Sequence, residues 1–148
     1  MTNILVICNY NRSVSKMAAA YLASKLDSKE YAVADAGMSV RKGDRIADGA
    51  VAALAERHLM TESTGCRAIS LKEIKQADLI LCSSSEIVRK LMDSFHSARG
   101  KTLHIMTYAP VKRDVFEPRK DVASHTQCLN MMISGLNAIA AKLNDMRD

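Results

Sequence analysis

Aromatic residues are scarce in this chain, which has four Tyr, two Phe and no Trp among its 148 residues. So few rings argue against the base-stacking surface on which single-strand nucleic-acid binding depends. Glycine and proline are scarce as well, with six and two residues, which excludes collagen-like and low-complexity structure. The rest of the composition, 48% hydrophobic and 25% charged, indicates one globular domain over residues 1–148.

Long apolar runs are also missing from the sequence. None approaches the roughly 20 residues that cross a bilayer. The run at residues 4–8 is too short for a signal peptide and lacks its basic flank. We therefore expect a soluble protein of the cytoplasm that does not associate with membranes.

Motifs for metal ions and disulfides are absent too. The four cysteines, at positions 8, 66, 82 and 128, have no C-x-x-C spacing and are too sparse for a disulfide scaffold. The four histidines, at positions 58, 96, 104 and 125, are too scattered for a metal cluster. We expect free thiols, no metal and no cofactor.

The charge balance favours anionic partners. Lys and Arg number 21 and Asp and Glu 16, which leaves a net charge of +5. The basic residues do not form the clustered stripe that is typical of nucleic-acid-binding proteins. We therefore expect a partner that is anionic but is not a nucleic acid.

Short apolar runs alternate with helical patterns along the chain. The runs at residues 3–8, 31–35, 77–82 and 102–108 predict strands, and those at residues 14–26, 47–58, 86–95 and from 124 onward predict helices. This alternation indicates an α/β domain with a parallel sheet covered on both faces. In such a fold, sites lie beyond the carboxyl ends of the strands.

The turn from the first strand into the first helix, residues 8–15, is where this rule places chemistry. The positive end of a helix and its free amides lower the pKa of a thiol and bind oxyanions. Cys8 therefore fits a reactive thiolate, with a pKa below that of a free cysteine. The alternative interpretation is that Cys8 ends a buried strand as a small hydrophobic residue.

The segment from Cys8 to Ala18 resembles the phosphate loop of the low-molecular-weight protein tyrosine phosphatases, V-C-x-x-N-x-C-R-S-x-M-A. The matching residues are Cys8, Asn11, Ser15, Met17 and Ala18. Segments 35–39, 65–71, 77–81 and 114–118 resemble further motifs of that family, in the correct order and spacing. The resemblance implies a single-domain three-layer sandwich whose four-stranded parallel sheet has the order 2-1-3-4.

The resemblance also implies roles for individual residues. Cys8 would attack phosphorus, Glu117 would protonate the leaving group, Asn11 would brace the loop and Ser15 would hydrogen-bond the thiolate. The oxyanion, a phosphate or similar group, would lie against the loop residues Asn9, Tyr10, Asn11, Arg12, Ser13, Val14 and Ser15. Each of these residues also has an interpretation that does not depend on the resemblance. Asn11 is then a turn residue, Ser15 caps the helix, and Glu117 is a carboxylate in the turn before a proline.

One essential position departs from the family pattern. Where the family has the arginine that clamps the phosphoryl oxygens, this chain has Val14, which cannot pair with phosphate. Arg12, two residues earlier, is either an improvised clamp or a solvated surface charge. We therefore expect phosphomonoester hydrolysis through a cysteinyl-phosphate to be weak or lost.

The expected pocket rim is cationic rather than aromatic. Arg41, Arg119 and Lys120 stand at positions where family members that accept phosphotyrosine have rings. Three cations suit a more highly charged or more polar ligand. They are equally well explained as ordinary solvated loop charges.

Two further functions remain open alongside a weak hydrolase. One is an inactive regulatory protein that binds a phosphorylated protein or a small anionic ligand. The other is a thiol-dependent arsenate reductase, which shares the loop and adds two redox cysteines after the third strand. Cys82 lies near the first of those positions, but the second is Arg89, so this alternative is the weakest.

Overall fold

The computed structural model describes residues 1–61 and 63–146. Its elements follow the predicted alternation of strands and helices. In chain order they are β1 (Thr2–Cys8), α1 (Val14–Ser24), β2 (Tyr31–Gly37), α2 (Asp48–Ala55), α3 (Leu71–Gln76), β3 (Leu79–Cys82), α4 (Ser85–Ser94), a 3-10 turn (His96–Ala98), β4 (Thr102–His104) and α5 (Val122–Asp145).

The four strands form one parallel sheet with the order β2-β1-β3-β4. This confirms the predicted strand order and fold class. In the register, Cys8 at the end of β1 lies beside Gly37 of β2, and Ile7 lies beside Cys82 of β3. Three strand ends therefore meet around Cys8, at the carboxyl edge of the sheet.

Helices cover both faces of the sheet, as a parallel sheet requires. Alternate residues of β1 enter two separate cores because side chains alternate along a strand. Val6 and Cys8 pack with α1, α2 and α5, whereas Leu5 and Ile7 pack with α3 and α4. The arrangement is the expected three-layer sandwich. None of the helices in the described parts of the chain combines the length and apolar character that a bilayer crossing needs.

Two elements differ from the sequence-based expectation. The fourth strand was expected to reach residue 108 but ends at His104, where the Met106 amide donates to His104 Nδ1 and the chain turns. Helix α3 was not expected, because its six residues are too few to show a helical period. Its start signal was present in the sequence, since Ser70 accepts a hydrogen bond from the Glu73 amide as in a capping box.

Candidate active site

The loop between β1 and α1 is held against the end of β2. Cys8 O and Asn9 O accept hydrogen bonds from the amides of Met38 and Ser39, at 3.0 and 2.7 Å. Gly37 allows this close approach: a β-carbon there would lie 2.7 Å from Val40 and 3.0 Å from the Asn11 backbone nitrogen. The glycine of the predicted motif at 35–39 is therefore a packing requirement of the loop.

Asn11 braces the loop from within. Its φ of 58° lies in the left-handed region, which asparagine tolerates better than most residues. Its side-chain amide donates to Ser15 Oγ at 2.7 Å and to Asp35 Oδ1 at 2.9 Å, and its Oδ1 accepts from the Arg67 amide at 2.9 Å. The side chain is fully buried, so these bonds fix the loop geometry.

A buried ion pair supports the same network, and sequence reasoning missed it. Lys16 Nζ lies 2.9 Å from Asp35 Oδ1, with 0% and 6% of the two side chains exposed. The ammonium also donates to the carbonyls of Ser63 and Gly65, at 2.7 and 2.8 Å. Asp35 Oδ1 thus accepts from both Lys16 and Asn11. A Lys and an Asp 19 positions apart give no signal in a single sequence.

Cys8 lies at the floor of the loop with no surface exposed. Its Sγ is 3.0 Å from Ser15 Oγ and 3.3 Å from the Asn11 amide, which is the predicted environment. Burial nevertheless raises the pKa of the thiol, and the nearby negative charge of Glu117 raises the pKa further, against the lowering effect of Ser15. The expectation of a lowered pKa is therefore wrong, because desolvation outweighs the hydrogen bonds.

No cation occupies the arginine position. Val14 is fully buried within the core beneath α1 and α5. Arg12 is exposed, and its Nε donates to the Arg45 carbonyl at 3.0 Å. This bond directs the Arg12 side chain toward the segment before α2.

A pocket of about 630 Å³ opens over the loop. Two cations, two carboxylates and several small or apolar residues line it: Tyr10, Arg12, Ser13, Ser39, Val40, Arg41, Asp44, Glu117 and Pro118. Of the three predicted rim cations, Arg41 is among these residues, whereas Arg119 and Lys120 are exposed outside them. The positive side of the pocket therefore consists of Arg12 and Arg41.

Glu117 stands where the predicted proton donor should be. The residue is exposed at the pocket, but neighbouring atoms remove enough water from its carboxyl to raise the pKa. Its charge also raises the pKa of Cys8, so the two groups are close. A raised pKa increases the protonated fraction that an acid catalyst needs.

The contact between the loop and α5 was also not predicted from the sequence. Ser13 Oγ lies 2.8 Å from Nε2 of His125, a buried residue of α5. His125 Nδ1 lies 2.9 Å from the backbone oxygen of Asp121. The two residues are 112 positions apart, and nothing in a scattered set of four histidines singles out one of them.

The remaining cysteines are free thiols in different surroundings, and Cys128 lies in the same core cluster as Cys8. Cys82 belongs to the core beneath α3 and α4, whereas Cys8 belongs to the core on the other face of the sheet. Cys66 Sγ donates to the Asn11 carbonyl at 3.2 Å. In residues 1–61 and 63–146, no three His, Cys, Asp or Glu side chains are grouped as metal ligands.

Solved structures of phosphatases have the same fold. The YwlE arginine phosphatase from Geobacillus stearothermophilus is 21% identical, with a TM-score of 0.89 over 99% of this chain and 96% of that one. The tyrosine phosphatase Wzb from Escherichia coli, solved with sulphate, is 20% identical, with a TM-score of 0.86 over 95% and 97%. Wzb from Vibrio vulnificus, solved with benzylphosphonate, is 23% identical, with a TM-score of 0.86 over 95% and 98%.

No curated protein matches the sequence of this chain. The model of one protein family, described as low molecular weight phosphotyrosine protein phosphatase, matches residues 3–147. That range includes the loop at Cys8, the Asn11 side chain that braces it, and Glu117. The chain therefore belongs to the low molecular weight phosphotyrosine protein phosphatase family.

Proposed function

We propose that this chain is an oxyanion-binding member of the family in which hydrolysis of phosphate monoesters through Cys8 is weak or lost. The observation that carries the proposal is the fully buried Val14 at the arginine position. A clamping arginine in phosphoryl transfer contributes on the order of 10³-fold or more to the rate. Valine offers neither the charge nor the paired donors of that clamp.

The state of the thiol supports the same proposal. A cysteine attacks as the thiolate, and burial together with the Glu117 charge raises the pKa of Cys8. A raised pKa reduces the fraction of Cys8 that is present as the thiolate. Glu117, whose pKa is also raised, keeps the chemistry of a proton donor, so weak turnover is compatible with the site.

An anion can be bound by backbone amides and positive charge alone, without the groups that catalysis needs. The first turn of α1 presents free amides, and helix N-termini of this kind bind phosphate and sulfate. Arg12 and Arg41 add positive charge at the pocket wall. The sulphate and the benzylphosphonate in the two Wzb structures are ligands of the type that we propose for this loop.

The proposed partner is an anionic ligand or a phosphorylated protein. With Arg12 and Arg41 at the pocket, the attraction is of the point-charge type and depends on salt. The four cysteines are free thiols, which suits the reducing cytoplasm, and we propose that location.

Titration of the protein with inorganic phosphate, followed by calorimetry, tests the proposal together with an assay on para-nitrophenyl phosphate. We expect measurable phosphate binding that weakens in Arg12→Ala and Arg41→Ala and as salt rises. Arg89→Ala, which removes an exposed cation of α4, is the matched control. Turnover in the usual enzyme range, about 1–10³ per second, that is lost in Cys8→Ala would show that catalysis through Cys8 is intact and the proposal wrong.

A further inference from the structure

We propose that Ser13 is a second nucleophile of the loop, activated by His125, and that it accepts the phosphoryl group of a bound phosphate monoester. The inference rests on the proposed function in one respect, namely that the loop binds phosphate. It does not depend on the Cys8 thiolate. It assigns a role to Ser13, which stands where the family motif has a second cysteine, and to His125, which lies outside that motif.

The hydrogen bonds of His125 define which ring nitrogen is free to act as a base. Nδ1 lies 2.9 Å from the Asp121 backbone oxygen, which only accepts hydrogen bonds, so Nδ1 carries the proton. Nε2 therefore presents its lone pair to Ser13 Oγ, 2.8 Å away. A hydroxyl, an imidazole base and a group that orients the base are the three parts of an activated nucleophile.

The residues around Ser13 and His125 leave room for the His125 ring and leave the Ser13 hydroxyl free to bond to it. A β-carbon at Gly49 would lie 2.3 Å from His125 Nδ1, so only glycine in α2 leaves room for the ring. Ser13 holds the N-cap position of α1, yet its hydroxyl makes no capping hydrogen bond to the helix and contacts His125 instead. Serine at an N-cap usually does cap the helix. The bond to His125 therefore replaces an available local one.

The location favours Ser13 over Cys8 as the group that meets a ligand. Ser13 lines the pocket together with Arg12, Arg41 and Glu117. Cys8 is fully buried and is not among the lining residues. Ser13 thus belongs to the wall where an anion would be held, and His125 lies buried behind it, within hydrogen-bond distance of the hydroxyl.

The reaction balances with the groups present. Ser13 Oγ forms a bond to phosphorus as the ester P–O bond breaks; the hydroxyl proton goes to His125 Nε2, and the departing oxygen takes the Glu117 carboxyl proton. Water then attacks the phosphoseryl group and gives one proton to the Glu117 carboxylate. Free phosphate leaves, and Ser13 Oγ recovers its proton from the imidazolium. The net change is one ester and one water converted to an alcohol and inorganic phosphate.

The intermediate makes the proposal testable, because phosphoserine survives acid and is stable enough for peptide mass spectrometry. The protein and its Cys8→Ala variant are incubated with para-nitrophenyl phosphate, quenched in acid and digested. We expect a phosphoryl group on Ser13 in both, at up to one per chain. Ser13→Ala should lose the label entirely, and Gly49→Ala and His125→Gln should label at least ten-fold more slowly. His96→Gln, which changes an exposed histidine of the 3-10 turn, should label normally.

Ser13→Ala removes a single oxygen atom. Its labelling result therefore tests whether Ser13 accepts the phosphoryl group even if the variants at His125 or Gly49 fold poorly. Label confined to Cys8, or absent from a protein that binds inorganic phosphate by calorimetry, overturns the role of Ser13 and leaves the proposed function standing. A protein that neither binds phosphate nor takes up label overturns both. Equal labelling rates in folded His125→Gln and in the unmodified protein also overturn the assignment of His125 as the base.

Discussion

Single residues decide what the loop can do. Val14 has no guanidinium group to neutralise the charge of a phosphoryl group during transfer. Asn11 and Ser15, in contrast, hold the geometry around Cys8 through their hydrogen bonds. The loop thus combines a preserved frame with an altered charge. The catalytic deficit that we propose should respond to changes at the positions that differ from the family pattern.

Restoring those positions should raise activity. For Val14→Arg combined with Glu117→Asp, we expect hydrolysis of para-nitrophenyl phosphate to rise at least ten-fold, because a charge-stabilising donor is worth about that much or more. The larger side chain should cost roughly 1–3 kcal/mol of stability, since Val14 is fully buried. Val14→Met with Glu117→Asp adds bulk without charge and serves as the control. Equal rates in the two double variants would show that charge at position 14 is not what is missing.

The Lys16–Asp35 pair should be strongly coupled. Lys16→Met removes the ammonium group and leaves the buried Asp35 carboxylate without its ionic partner, although its hydrogen bond from Asn11 remains. Removal of one partner of a buried pair costs about 3–5 kcal/mol. Urea denaturation should show that Lys16→Met and Asp35→Asn together cost less than the sum of the two single changes. Strict additivity would contradict a direct interaction between these side chains.

The cysteines should differ in reactivity in an order set by burial. Cys8, Cys82 and Cys128 are buried, whereas Cys66 is partly exposed, and burial raises the pKa of Cys82 and Cys128 to about 12. At neutral pH, iodoacetamide should modify Cys66 first, several-fold faster than Cys8, as read by peptide mass spectrometry. Faster modification of Cys8, with protection by phosphate, would show instead that the loop stabilises the thiolate.

At the scale of elements, the site depends on how closely β2 approaches the first loop. Much of this could be predicted from the sequence, since the apolar runs and the motifs at 8–18 and 35–39 fix the strands, the loop and their order. The buried Lys16–Asp35 pair and the contact between Ser13 and His125 could not be predicted. They join positions 19 and 112 apart through packing that no local pattern encodes.

Gly37→Ala should test the approach of β2. The added β-carbon would lie 2.7 Å from Val40 Cγ2 and 3.0 Å from the Asn11 nitrogen, closer than van der Waals contact allows. We expect a loss of roughly 1–3 kcal/mol in unfolding free energy and weaker binding of inorganic phosphate. Gly65→Ala, whose β-carbon would meet no neighbour within 4 Å, is the matched control and should keep its phosphate affinity.

At the scale of the whole molecule, buried thiols on both faces of the sheet make stability depend on alkaline pH. The pKa values of Cys82 and Cys128 are about 12 in the fold, against an ordinary value of 9.0. Between those values the folded chain binds more protons than the unfolded chain, so the free energy of unfolding falls as pH rises. Their contribution is therefore complete below about pH 9 and is lost progressively toward pH 12.

Urea denaturation at pH 8, 9 and 10 should show that decline as a lower midpoint at each step. Replacement of both thiols, in Cys82→Ala with Cys128→Ala, should lower stability at every pH yet flatten its dependence on pH. Cys66→Ala, which removes a partly exposed thiol, is the control. An unchanged slope in the double variant would assign the alkaline loss to other groups.

The hydrogen bond between Ser13 and His125 also determines when the site can form during translation. The loop leaves the ribosome before α5, which begins only at Val122. Tyr21 and Tyr31 also hydrogen-bond to α5, at Asn137 and Leu143. A nascent chain that does not yet contain α5 therefore has the cysteine and the loop but lacks the imidazole. At about 5–20 residues per second, the 112 positions between Ser13 and His125 take several seconds to synthesise, so the pair forms well after the loop, and a chain truncated before residue 122 cannot complete the site.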